Sequence, residues 1–421
     1  MTEAALDLTP QVEGDSSAAV RMVPRISIQI FCETDSSIST LQQAASDRRL
    51  SRAHVAVQGG GIAAAIDYYA NAPTPNLVIV EATGERGPLL AQLEDLAGVC
   101  DSGTKVIVIG HVNDVILYRE LVKRGVSDYV VAPFNTLQII DAIGSVYENP
   151  ETGPLGSSIA FVGAKGGVGS STVAHNVAWA IAELLGEDVV IADLDLAFGT
   201  LGLDFNQDPP QGIADALNSP DRLDEVLLER LLAKCTDKLN LFAAPSTLDR
   251  EYDISADSLE SIVDLLRGAV PCVVLDVPHL WTSWARRVLL DADHIIITAV
   301  PDLANLRNAK NLFDVLRAQR SNDKPPYLVL NQVGMSKRPE ISIKDFTDAL
   351  SVEPTLAVQF DPQLFGTAAN NGQMIAELSN GGKVAAGFTN LAKVITGRSE
   401  VKKAKKSSLG GLSLRLLGKK G

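Results

Sequence analysis

The chain has few cysteines, and they are scattered. Four in 421 residues, with no C-x-x-C pair, cannot build a disulfide framework or a zinc knuckle. Cys32, Cys100, Cys235 and Cys272 therefore read as buried thiols in a reducing cytosol. The five histidines are equally dispersed and show no metal-ligand spacing. No apolar run reaches the roughly 18 residues that a membrane-spanning helix needs. The first 24 residues hold no continuous apolar core behind a basic start, so no secretory signal is expected. Internal repeats are absent. A general basic footprint is absent too: 37 Lys and Arg stand against 51 Asp and Glu, a net charge of −14. The excess cation sits at one end. From Arg398 onward, eight basic residues accompany Glu400 alone, so this tail carries +7 and leaves −21 on the remainder. An acidic body of that size argues against general DNA binding, and no nucleic-acid partner is expected.

The length suits two or three domains, and 46% hydrophobic residues suit globular cores. One stretch organises the chain. Ile159 to Val162 is an apolar run of strand type, Gly163 to Gly169 is glycine-rich, and Ser171 to Leu185 carries Val173, Val177, Ile181 and Leu185 at helical spacing. A strand, a glycine turn and a helix N-terminus together make a phosphate cradle, because converging backbone N–H groups and the helix dipole both favour an anion. The dinucleotide fingerprint G-x-G-x-x-G is missing from this loop, so a nicotinamide or flavin reading loses its main support. The match to G-x-x-x-x-G-K-[ST] is close but broken. Gly163 and Gly169 occupy the glycine positions and Ser171 the magnesium-side hydroxyl position, whereas Ser170 stands where the lysine belongs. A glycine turn without any ligand is the competing reading.

At Lys165-Gly166-Gly167-Val168-Gly169 the chain resembles the MinD/ParA family of deviant Walker A ATPases, whose hallmark is this early lysine. With Ser170-Ser171-Thr172 and the Asp193-Leu194-Asp195 motif downstream, the resemblance narrows to the CpaE/TadZ proteins of Flp (Tad) pilus assembly, over about residues 25 to 395. The resemblance implies ATP and Mg2+ as cofactors. It implies that residues 163–172 cradle the phosphates and that Lys165 reaches a partner's nucleotide across a homodimer. It implies Asp193 beside the γ-phosphate and Asp195 positioning the attacking water. Two carboxylates at a strand end fit that chemistry, although a capping Asp is the plainer alternative. Pro271 to Leu275 leads into Asp276, which has the Walker B form and would hold magnesium opposite Ser171. Asn331, ending the strand-like run from Tyr327, is the adenine candidate, with a turn-forming Asn as the alternative. With the second lysine replaced by Ser170, hydrolysis is expected to be weak or absent, because that lysine stabilises the transferring phosphoryl group. The rival readings are an active ATPase that cycles a partner, or a DNA-segregation ATPase.

The expected organisation has five parts. Residues 1–25 are a polar, disordered arm. Residues 26–147 alternate strand and helix patterns, with strands expected at Ile26–Phe31, His54–Val57, Leu77–Val80, Lys105–Ile109 and Asp128–Val131, and suggest a five-stranded flavodoxin-like α/β sheet. This part resembles a response-regulator receiver through Pro75 to Val80 and Gly125 to Phe134, but Glu81, Gly110 and Ala132 replace the acceptor Asp, the Ser/Thr and the Lys. A degenerate receiver used for protein contacts follows. Residues 148–158 are a Pro/Gly/Ser linker. Residues 159–396 form a doubly wound parallel P-loop domain, with a last helix expected near Gly387 to Ile395. Residues 397–421 are a basic tail whose leucines and lysines offer peripheral membrane contact, a plain solvated tail being the alternative. The family resemblance places such a protein in the cytoplasm, at the inner face of the inner membrane or the cell pole. Its partners would be the pilus secretion ATPase and inner-membrane platform proteins.

Overall fold

The computed structural model describes residues 22–147, 155–248 and 254–398. Two parallel sheets account for them. The first has β1 (Ser27–Cys32), β2 (His54–Gly59), β3 (Leu77–Ala82), β4 (Lys105–Gly110) and β5 (Asp128–Val131), in the order β2-β1-β3-β4-β5. This is the strand order of flavodoxin-type doubly wound sheets. β3 is buried along its whole length, as an inner strand with helices on both faces must be, whereas the edge strand β2 is exposed at alternate residues. One face packs Phe31, Val80, Leu93, Leu121 and Tyr129, and the other packs Ile28, Leu41, Ile79 and Ile140. The four residues Met22–Arg25 belong to this domain: Val23 is fully buried and its N–H donates to the Arg49 carbonyl at 2.8 Å. Residues 1–21 of the expected arm lie outside the described residues.

The second sheet is larger. It contains β6 (Ser157–Gly163), β7 (Val189–Asp193), β8 (Ala233–Lys234), β9 (Leu239–Phe242), β10 (Cys272–Val277), β11 (His294–Ala299), β12 (Tyr327–Val333) and β13 (Leu356–Gln359). Their order is β13-β12-β11-β6-β10-β7-β9-β8, all parallel except the β8–β9 pair. β6 begins two residues earlier than the sequence pattern suggests, because Ser157 and Ser158 pair with Cys272 and Val273. The last helix is longer than expected, Lys383–Ile395, and residues 399–421 of the basic tail lie outside the described residues. The helix expected over Ser171–Leu185 is α-helical only over Ser170–Trp179 and ends in a π-turn, Ala180–Leu184. Among the described residues no helix is long and apolar enough to cross a membrane.

The two sheets meet base to base. The turn Arg48–Leu50, which leads into β2, inserts between the segments that lead into β11 and β12. Arg48 Nε donates to Asp323 Oδ2 at 2.6 Å and Arg48 Nη1 to the Asp291 carbonyl at 2.9 Å. Arg49 also reaches Asp323, and Arg52 pairs with Glu260 and Asp264. Arg320 joins from its own domain, with Nε 2.8 Å from Asp323 Oδ2. Each of these charges is buried or half-buried and each has an opposite partner, as desolvated ions require. In a parallel sheet, segments that lead into strands lie at the opposite end from the ligand-binding edge. Both carboxyl edges are therefore turned away from this contact.

Candidate functional site

The carboxyl edge of the second sheet gathers the residues singled out above. Gly163 ends β6, and Gly169 caps the helix Ser170–Trp179. Gly167 and Gly169 have φ of 78° and 84°, the left-handed region where a side chain is strained. At Gly169 a Cβ would also lie 2.5 Å from Asn331 Nδ2. The loop is braced from outside. Asn331 Nδ2 donates to the Val168 carbonyl (2.8 Å), Gln332 Nε2 to that of Gly167 (3.3 Å), Asn308 Nδ2 to that of Ala164 (2.9 Å) and His279 Nδ1 to that of Gly163 (2.8 Å). The Ala164 N–H is held by the Thr298 carbonyl at 2.8 Å. Four side chains thus brace the loop through its carbonyls.

The inner surface is open. Nothing lies within 4 Å of where a Cβ would stand on Gly166 or Gly167. Lys165 is exposed and makes no hydrogen bond or ion pair among the described residues. Ser170 Oγ, at the missing lysine's position, is buried without a hydrogen-bond partner. An open glycine turn, an exposed lysine at its lip and a buried hydroxyl without a partner beside it fit a phosphorylated ligand. Ser171 and Thr172 follow in the first helical turn, half-buried.

Beneath the loop lies a buried acidic network. Asp193 and Asp276 are register partners at the ends of β7 and β10. Asp193 is fully buried; its carboxylate accepts from the N–H groups of Asp195 (3.0 Å) and Leu201 (3.2 Å). Burial and the neighbouring Asp276 charge push its pKa above the usual carboxylate range, against the opposing pull of His175. Asp195 is half-buried and accepts the Phe198 N–H at 3.1 Å.

Sequence reasoning missed His175, having set it aside with the other scattered histidines. It is fully buried, four residues after Ser171 and so on the same helical face. Its Nδ1 lies 2.7 Å from Asp204 Oδ2 and its Nε2 3.5 Å from Asp276 Oδ2, the latter outside hydrogen-bond geometry but well within ion-pair range. Burial works against its proton, yet the two carboxylates outweigh burial and raise its pKa above the ordinary imidazole range. Asn331, the adenine candidate, lies near the end of β12, against the loop. It is buried, and its carboxamide is engaged with the loop and with the Gln332 N–H (2.8 Å), so its polar atoms point into the scaffold. Gln332, Asn308 and His279 were not singled out either; they face the loop from β12, from the helix Leu303–Gln319 and from the segment after β10, which only the fold brings together.

The corresponding edge of the first sheet is closed. Glu81 is fully buried. Its Oε1 accepts from Thr34 Oγ1 (2.8 Å), Ser37 Oγ (2.7 Å) and His111 Nε2 (2.9 Å), and its Oε2 from the N–H groups of Glu33 (2.8 Å) and Thr34 (2.9 Å). Burial opposes ionisation here, but Ser37, the Thr34 N–H and His111 together hold the carboxyl down at about 2. At Gly110 a Cβ would stand 2.0 Å from the Tyr129 hydroxyl, so the tyrosine fills the space left by that missing side chain. Its hydroxyl donates to the Val112 carbonyl at 2.8 Å.

The chain is similar to several known proteins. A family model described as cellulose biosynthesis protein BcsQ matches residues 157–338. The septum site-determining protein MinD of Synechocystis is 29% identical over 219 residues, 50% of this chain and 77% of that protein. MinD from Pyrococcus horikoshii, solved with Mg-ADP, is 21% identical, with a TM-score of 0.51 over 57% of this chain and 96% of its own; at that identity it shows the fold alone. A pilus assembly protein CpaE from Caulobacter crescentus CB15 shares 49% identity over 98% of its solved chain and 31% of this one. Its TM-score is 0.30.

Proposed function

Because the chain belongs to the CpaE pilus assembly proteins of the MinD/ParA-like superfamily, we propose that it is an ATP-binding, dimerising positioning factor for a pilus secretion machine. One observation supports this reading: the 163–172 loop has open space at Gly166 and Gly167 with Lys165 exposed at its lip, while Ser170 stands where the second lysine would be. ATP would be held by the loop N–H groups and the first turn of the helix Ser170–Trp179. Mg2+ would be held by Ser171 and Asp276, and when bound it supplies charge neutralisation at the phosphates. Asp193 accepts hydrogen bonds that shape the loop carrying Asp195. Lys165 reaches outward, as a residue serving a second copy must.

The exposed apolar side chains Phe198, Leu203, Leu280, Trp281 and Leu303 lie on segments leaving β7, β10 and β11, and they support a self-association surface at this edge. The receiver-like domain acts as a protein-contact module, since the caged Glu81 offers no free acceptor oxygen. Partners of the proposed machine are the pilus secretion ATPase and inner-membrane platform proteins, met at the inner face of the inner membrane or the cell pole. Adenine would lie near the end of β12, beside Asn331 and Gln332.

The test is calorimetric titration with ATP and ADP, with and without Mg2+, followed by mass measurement in solution. Heat for Mg-ATP, a loss of about tenfold or more in affinity for Asp276→Ala, and a doubled mass with ATP are expected. No heat, or wild-type affinity in Asp276→Ala, refutes the site. Brisk turnover abolished by Asp195→Ala would instead make the chain an active ATPase.

A further inference from the structure

We infer that His175 is a positioning residue that links Asp276 to the segment 196–206, so that a nucleotide held by the 163–172 loop orders the exposed edge carrying Phe198 and Leu203. The inference rests on the nucleotide-binding reading above.

The geometry is that of a strut. One end of the imidazole lies 3.5 Å from Asp276 Oδ2, at the tip of β10; the other lies 2.7 Å from Asp204 Oδ2. The ring has no exposed surface, and Phe205 packs against it with centroids 5.8 Å apart. A buried ring held at both ends cannot shift alone, so displacement of either carboxylate is passed to the other.

Asp204 closes the single-turn helix Leu201–Asp204, too short to hold itself in place. Its polar ties are few: Asp204 to His175, Thr200 Oγ1 to Asp204 Oδ2 at 3.3 Å, and the Leu201 N–H to Asp193 at 3.2 Å; Leu201 and Phe205 add apolar anchorage in the core. At Gly199 the backbone passes so close to Asp193 that a Cβ would stand 2.3 Å from Oδ2. The two polar ties to the sheet lead to Asp193 directly and to Asp276 through His175, at the ends of β7 and β10. Phe198 and Leu203, 74% and 73% exposed, ride on the same segment. The segment is thus read by its anchors below and presents apolar surface above.

Amide hydrogen exchange of the full chain, with and without Mg-ATP, tests this. In wild type, Mg-ATP is expected to slow exchange across 196–206 by about tenfold. Asp204→Ala removes the far end of the strut without touching the loop. It should bind Mg-ATP within about threefold of wild type by calorimetry yet lose that protection. A purely structural role would lower the thermal midpoint but leave the nucleotide-induced protection intact, and that result overturns the inference. Should Asp204→Ala fail to fold, Asp204→Asn, which keeps the shape and removes the charge, is read in the same way. Wild-type protein that binds Mg-ATP without any change at 196–206 refutes the coupling alone; wild-type protein that binds no Mg-ATP refutes the nucleotide reading beneath it.

Discussion

Replacing Asp323 by alanine removes the anion on which three arginines converge, two from the first domain and one from the second. Its side chain is only 7% exposed. Breaking a buried ion pair from one side costs about 3–5 kcal/mol, because the partners stay desolvated. Here part of the loss is offset. Arg48 keeps the Asp291 carbonyl, Arg320 keeps those of Leu289 (3.0 Å) and Asp293 (3.3 Å), and Arg49 keeps Asp47. The lower end is therefore expected, about 3 kcal/mol. For a joined unit of about 400 residues that is a fall in thermal midpoint of about 4 °C. Differential scanning calorimetry reads it, and the transition should split as the two domains uncouple. Acid acts on the same group. Burial alone would raise the Asp323 pKa, but Arg48 and Arg320 hold it at about 2, so its contribution is full above the ordinary carboxylate range and is lost as pH falls from about 4 toward 2. A variant whose midpoint stays within about 2 °C of wild type, with one unsplit transition, would refute the view that this cluster joins the domains.

Acetyl phosphate is expected to leave the first domain unlabelled, because Glu81 spends both oxygens on five donors; labelling that disappears in Glu81→Gln would overturn this. Ser170→Lys should raise nucleotide affinity by about tenfold, since it adds a cation and breaks no hydrogen bond of the Ser170 hydroxyl; unchanged affinity in an ATP titration would count against the cradle. The basic tail is tested by flotation with anionic liposomes, comparing the full chain with one ending at Gly397. Salt-sensitive flotation lost on truncation is expected, and equal flotation of the two removes the tail from the mechanism.

Much of the second domain was legible because its signals are local. Val273, Val274 and Leu275 are a buried run ending in Asp276, and Gly167 and Gly169 stand where the backbone turns left-handed. The weakly patterned pieces were not legible. β8 has two residues and β13 four, and both lie at sheet edges where burial is partial. His175 carries no motif; its meaning comes from Asp204, 29 residues away, and Asp276, 101 residues away, meeting in space. Asn331 was read from position alone, whereas its carboxamide is decided by the Val168 carbonyl across the sheet edge. Arg48, Arg49 and Arg52 look like a solvated basic run until the acidic patch of the other domain is set beside them.

The base-to-base contact has a geometric corollary. Two copies that pair through their loop edges about a two-fold axis would place their P-loop domains at the middle and their first domains at the outer ends. Such a pair would be a four-body rod with a first domain at each tip, and neither tip would compete with the central joint for space. It could bridge two neighbouring docking points, with reach set by the Arg48–Asp323 junctions at either side of its midpoint.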